Sequence, residues 1–298
     1  MAARLRLTVQ TLAQYASLTL FALICMLWNV VALPLLLVLP SGRGERCGRF
    51  GIRAGYRLYV WSLGLMRLYR LDLRALEALR GAPPLVLAPN HPSLIDALMI
   101  IAYEPRVACV MKSSLMNSVL IGPGARLARY ICSTPTRRMI HEAVAELRRG
   151  GIVLLFPEGT RTTRTPINEL QAGVGIIARQ AGVPIQTLII ETDSPVLSKG
   201  RSPFRLGAFP VTYRVRLGRR FDPPEDVREL MTQLDRYFRG ELAGAAQNHW
   251  IDAGGAPEER PKPAPLPSAA SRAGRLEGHP SRSRRDRAGH GAAGRRAR

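Results

Sequence analysis

The sequence predicts an α/β fold: a mostly parallel sheet covered by helices and preceded by an N-terminal membrane-anchoring helical segment. Three observations carry that reading. After Leu76, short apolar runs bounded by turn residues alternate with helical stripes. Before it lies a long stretch without charge. The chain itself, 298 residues with 46% hydrophobic side chains, has enough apolar material to cover both faces of a sheet. The boundaries that follow are 1-74 for the anchor and an amphipathic helical segment, 75-252 for the α/β domain, and 253-298 for a disordered basic tail.

From Leu7 to Gly42 there is no charged side chain, and "YASLTLFALICMLWNVVALPLLLVLP" is long enough to cross a bilayer core of about 30 Å. A secretory signal peptide is the rival reading. The run exceeds the usual signal core of about 7 to 15 residues, and no small-x-small cleavage site follows, so the anchor is preferred. Asn29 and Pro34 admit a kinked or re-entrant helix as well as a straight span. Arg43, Arg46, Arg49, Arg53 and Arg57 follow the segment against Arg4 and Arg6 before it, which places the bulk of the chain on the cytoplasmic side of the cell inner membrane. "CGRFGIRAGYRLYVWSLGLMRLYRL" then mixes arginines with Phe50, Tyr59, Trp61, Leu65 and Tyr69. It reads as an amphipathic helix packed on the domain or lying in the membrane interface.

"PPLVLAPN", "RVACVMK", "GGIVLLFPEG" and "VPIQTLIIE" read as buried strands. "RRMIHEAVAELRRG" sets Ile140, Ala143, Val144 and Leu147 on one helical stripe and ends in glycine. "PVTYRVRLG" adds a further candidate strand, and "PEDVRELMTQLDRYFRGELAGAAQ" a long closing helix.

The net charge of +21 points to anionic partners, but of the 43 basic residues only Lys112, Lys199 and Lys262 are lysine. From Ala253 to Arg298 the chain carries 11 basic and 4 acidic residues with almost no large apolar side chains, too little to offset its chain entropy. No helix-turn-helix, zinc-finger or RNA-binding signature accompanies the arginines, so a nucleic-acid partner is not expected and an anionic membrane surface is. Cys25, Cys47, Cys109 and Cys132 form no CxxC pair, so they read as reduced thiols, most of them buried, and no metal site or cofactor is expected.

Two motifs carry chemistry. In "LAPNHPSLIDALMI", His91 follows a strand directly, on the rim where α/β sheets bind ligands. Pro92 suits the first turn of a helix. Residues five apart on a helix differ by about 140°, so His91 and Asp96 face each other only if the histidine lies outside the regular helix. A carboxylate on one imidazole nitrogen fixes the tautomer and stabilises the imidazolium when the other nitrogen takes a proton, an arrangement that activates a hydroxyl. The second motif, "FPEGTRT", brings Glu158, Gly159, Thr160 and Arg161 to the same rim. There a carboxylate can accept from a substrate hydroxyl or hold a neighbouring side chain, and a guanidinium can grip a phosphate or carboxylate.

NHPSLID followed by FPEGTRT, with an apolar segment before them, resembles the glycerolipid acyltransferase family. Its best-known members are bacterial 1-acylglycerol-3-phosphate acyltransferases. The resemblance runs from about Leu76 to Pro223 and includes Val183, Pro184 and Ile185. It implies that 75-252 is an acyltransferase catalytic domain, an O-acyltransferase acting at a membrane. The implied donor is acyl carrier protein or acyl-coenzyme A, and the implied acceptor a lysophospholipid. It further implies His91 as general base, Asp96 as its partner, and Glu158, Gly159 and Arg161 as acceptor-binding groups. One departure bears on the acceptor: the family's Gly-x-x-Phe-x-x-Arg block has no counterpart in "GARLARYICSTPTRRMI". Lys112, Arg126, Arg137 and Arg138 are then the candidates for an acidic head group. "DSPVLSKG" resembles a branch of the family found beside carrier-protein-dependent lipid and polyene assembly genes. That adds another hydroxylated lipid, or a carrier-linked polyene, as an alternative acceptor. A non-catalytic basic membrane-binding protein would explain the charge alone. His141, beside Glu142 in a predicted helix, reads as a surface histidine, and Trp28, Trp61 and Trp250 as interface or packing residues.

Overall fold

The computed structural model describes residues 1–202 and 209–247, and the predicted basic tail, with Trp250 before it, lies outside them. Strands β1 (Tyr69–Asp72), β2 (Val86–Pro89), β3 (Val107–Met111), β4 (Ile131–Cys132), β5 (Ile152–Leu154), β6 (Ile185–Thr192) and β7 (Val211–Phe221) form one sheet, in the order β1-β7-β6-β2-β5-β3-β4. Every neighbouring pair is parallel except β6 with β7. The central strand β2 is buried along its whole length, as an apolar run covered on both faces requires. By contrast β7 alternates, with Val211, Tyr213 and Val215 buried between half-buried Thr212, Arg214 and Arg216.

Two hydrophobic layers flank the sheet. On one face α6 (Thr136–Arg148), α7 (Gly173–Ala181) and α8 (Val227–Gln247) pack through Ala143, Val144, Leu147, Ile177, Leu234 and Phe238. The predicted stripe of α6 is thus its buried side, with Ile140 at the margin. On the other face lie α3 (Asp96–Tyr103), α5 (Gly122–Leu127) and the two N-terminal helices, α1 (Ala2–Val38) and α2 (Ser41–Leu65), with a short α4 (Ser113–Met116) after β3.

Three features differ from the sequence reading. The helix read through "RLYRL" stops at Leu65, because Arg67 at φ 54° turns the chain into β1. The sheet's first strand therefore falls within the segment 1-74. The two-residue strand β4 is too short to register as an apolar run. Pro92 does not open a helix, since α3 begins only at Asp96. The cysteines are free thiols, two buried (Cys25, Cys109) and two half-buried.

α1 is an inverted helix. Gln14, Ser17 and Asn29 are buried against the protein, whereas Leu23, Met26, Leu27, Val30 (72% exposed) and Leu37 (86%) face outward. Asn29 fixes the packing: its amide donates to the Leu120 carbonyl, and its oxygen accepts the Gly124 N–H at 2.8 Å. Two glycines of α2 allow the close approach. A Cβ on Gly48 would overlap the Ala128 backbone, and one on Gly51 would overlap the Trp28 ring. Arg49 then reaches over to Glu146 of α6 at 2.8 Å, while also pairing with Glu45 at 2.9 Å.

This packing makes Gly48→Val an overpacking substitution that should cost about 1–3 kcal/mol of stability. Gly64→Ala, where a Cβ meets nothing within 4 Å, should cost nothing measurable. Thermal melting followed by circular dichroism checks the pair.

Candidate active site

The site is built where the loops after β2 and β5 meet at the carboxyl ends of the parallel strands. Asn90 closes the end of β2 by pairing with β6: its side chain donates to the Ile190 carbonyl at 2.9 Å and accepts the Ile190 N–H at 2.7 Å. The next residue, His91, projects from this fixed point, and its ring stacks on Phe156 with centroids 3.8 Å apart.

Asp96, at the first position of α3, is fully buried. Its Oδ2 accepts from His91 Nδ1 at 2.8 Å and from the Ser93 N–H at 2.7 Å, and its Oδ1 accepts the Ser93 hydroxyl at 2.6 Å. The non-helical stretch from His91 to Ile95 is what lets residues five apart face each other. A carboxylate only accepts, so the proton between the two side chains sits on Nδ1 and the lone pair of the neutral imidazole on Nε2. Among the described residues there is no group of three or more His, Cys, Asp or Glu side chains placed to hold a metal ion.

Glu158 has a different setting from the one the resemblance implies. It is buried (4% exposed), and both oxygens are engaged by the protein. Oε1 accepts the His91 N–H at 2.9 Å and the Thr162 hydroxyl at 2.8 Å, and Oε2 accepts the Asn168 N–H at 2.9 Å. Of the two roles open to it from sequence, the geometry matches the holding of neighbours. The Thr162 N–H also donates to the His91 carbonyl at 2.7 Å, so the two motifs are joined through two hydrogen bonds. Gly159 sits at φ 64°, a turn that favours glycine.

A cavity of about 510 Å³ opens beside His91, within the usual range for a small-molecule site. Lys112, Thr160, Arg161 and Lys199 line its open end, where the Lys112 ammonium donates to the Thr160 hydroxyl at 3.4 Å. One guanidinium nitrogen of Arg161 donates to the carbonyls of Leu197 (3.0 Å) and Ser198 (3.3 Å). The inner walls are apolar and include Phe21 and Ile24 of α1 and Ile52 of α2. Arg126, Arg137 and Arg138 do not line it: Arg126 donates to Asn117, Arg138 pairs with Glu142, and Arg137 is exposed. His141 is exposed, as read.

Of the residues singled out from sequence, the structure brings together His91, Asp96, Lys112 and Arg161. Sequence reasoning missed Asn90, Ser93, Thr162 and Asn168 as the residues that hold them, although the first three lie inside the quoted motifs. It also missed Lys199, and the contribution of α1 and α2 to the cavity wall has no local sequence signal.

The sequence pattern of the Acyltransferase family matches residues 70–191. A putative 1-acyl-sn-glycerol-3-phosphate acyltransferase, acl-1, of Caenorhabditis elegans is 28% identical over 161 residues, covering 49% of this chain and 57% of its own. The 1-acyl-sn-glycerol-3-phosphate acyltransferase of Pseudomonas aeruginosa is 24% identical over 143 residues, covering 46% and 55%. The chain therefore spans little more than half the length of these curated relatives. Among solved structures, the 1-acyl-sn-glycerophosphate (LPA) acyltransferase PlsC of Thermotoga maritima superposes with a TM-score of 0.61 at 17% identity, covering 83% of this chain and 98% of that one. The fold is shared.

If Glu158 is a brace, Glu158→Gln should lower thermal stability by about 1–3 kcal/mol, because the amide nitrogen cannot accept the bonds the carboxylate oxygens accept. Unchanged melting would mean that the carboxylate is free for a ligand.

Proposed function

We propose that this chain, whose residues 70–191 belong to the acyltransferase family, is a membrane-associated O-acyltransferase of the 1-acylglycerol-3-phosphate acyltransferase type. It moves a fatty acyl group from an acyl thioester, on acyl carrier protein or coenzyme A, to the hydroxyl of a lysophospholipid such as 1-acylglycerol-3-phosphate. The observation that carries the reading is the His91–Asp96 pair, with His91 lining a mostly apolar cavity.

The mechanism follows from that geometry. His91 Nε2 takes the proton of the acceptor hydroxyl as its oxygen attacks the thioester carbonyl. Asp96, held by Ser93, keeps Nδ1 protonated and stabilises the imidazolium. The tetrahedral intermediate collapses with cleavage of the C–S bond, and the thiolate leaves with the proton returned from Nε2. Products are the ester and the free thiol. The apolar cavity takes the acyl chain, while Lys112, Arg161 and Lys199 supply positive charge for an anionic head group.

Membrane association is supported by the pattern of the N-terminal helices. The outward face of α1 is apolar, and Phe50, Leu58, Trp61 and Leu65 of α2 are exposed beside it. Thr8–Val38 is long and apolar enough to cross a bilayer. Exposed Arg43, Arg46 and Arg57 add charge suited to an anionic, cytoplasmic leaflet of the inner membrane.

The test is to incubate the purified full chain in lipid with labelled acyl carrier protein or coenzyme A thioesters and a panel of lysolipids. Both thiol release and acylated product are followed. His91→Ala should abolish transfer in a folded, membrane-bound protein, and Asp96→Asn should cost up to about 10⁴-fold. A His91→Ala variant near wild-type activity would overturn the mechanism. Arg161→Lys keeps charge but loses the planar fork, so acceptor KM should rise with donor KM nearly unchanged. A rise in donor KM alone would assign Arg161 to the carrier's phosphates instead.

A further inference from the structure

The far wall of the cavity is not uniformly hydrocarbon-like. Tyr56 of α2, Tyr130 before β4, Cys25 of α1 and Cys109 of β3 all line it. Among the described residues neither tyrosine hydroxyl has a hydrogen-bond partner in the protein. Both phenols lie in apolar surroundings, and burial raises each above the ordinary range, so they stay protonated donors. Burial likewise pushes the Cys109 thiol up to about 12.

Cys109, which interacts electrostatically with both phenols, marks the depth of this wall through strand register. Cys109 lies opposite Leu154, and Leu154 opposite Leu87, four residues before His91. At about 3.3 Å per residue this level is roughly 13 Å below the histidine along the strands. A plain alkyl chain filling the cavity would strip water from two hydroxyls and offer nothing in exchange. An oxygen on the chain at that depth would pair with them. Sites that bind a substrate oxygen discriminate strongly against the analogue lacking it, because their own polar groups are then left unpaired.

We propose that Tyr56 and Tyr130 are specificity-determining residues, and that the preferred acyl chain carries a hydroxyl or keto oxygen well removed from the thioester. The inference rests on the acyl-transfer reading for the cavity's role, but binding tests it separately from turnover.

Non-transferable thioether analogues of the donor, one with a plain sixteen-carbon chain and others hydroxylated at mid-chain or at the terminal carbon, are titrated calorimetrically into the full-length protein in lipid nanodiscs. An oxygenated chain should bind at least about tenfold tighter than the plain one. Tyr56→Phe with Tyr130→Phe, which removes only the two oxygens, should bring the ratio close to one. Equal or weaker binding of every oxygenated chain by the wild type, or a preference that survives in the double variant, would overturn the proposal. A binding preference without transfer from any thioester would instead remove the acyltransferase reading and leave the recognition of an oxygenated chain standing.

Discussion

The arrangement of this site depends on two buried carboxylates, neither of which faces solvent. Asp96 gathers the loop after β2 around itself through the imidazole, the Ser93 amide and the Ser93 hydroxyl. Glu158 ties that loop to the one after β5 through the His91 amide, the Thr162 hydroxyl and the Asn168 amide. A buried carboxylate without partners is costly, so each of these loops is confined to conformations that present donors to it. The histidine is positioned on its backbone side by one acid and on its ring side by the other. His91 is therefore held in one orientation by the protein alone, and in the proposed reaction that is the preorganisation that lowers the reorganisation required.

The sheet and the helices on one of its faces could be read in the sequence because their physical causes are local. β2, β3, β5 and β6 are short apolar runs between turn residues, and α6 shows its buried stripe directly. β1 could not be read this way. Tyr69–Asp72 follows a helix without proline or glycine between them, and only the left-handed Arg67 separates the two. Its strand character comes from pairing with β7, some 140 residues later in the chain.

The site was legible to a similar degree. The sequence set the condition for His91 and Asp96 to meet, a histidine outside the regular helix, and the structure meets it by starting α3 only at Asp96. The sequence left two roles open for Glu158 and could not name the neighbours it holds, because its partners lie at 91, 162 and 168 and only tertiary structure brings them together. Charge alone also misled in detail. Arg126 and Arg138 look available in the sequence, yet each is occupied by a neighbour, whereas Lys199, inside the DSPVLSKG stretch, lines the cavity.

Asn29 has the widest consequence. Its two hydrogen bonds to the segment Leu120–Gly124 hold α1 against the sheet-covering layer, so one face of that helix lines the cavity through Phe21 and Ile24 while the opposite face presents Leu27 and Val30 outward. A single helix is about 10 Å across. With that outward face in lipid, the wall between bilayer hydrocarbon and the cavity would be one helix thick. Under the proposed function, a chain passing between the two environments would exchange one greasy medium for another without an aqueous interval, and a single helix would serve as both tether and partition.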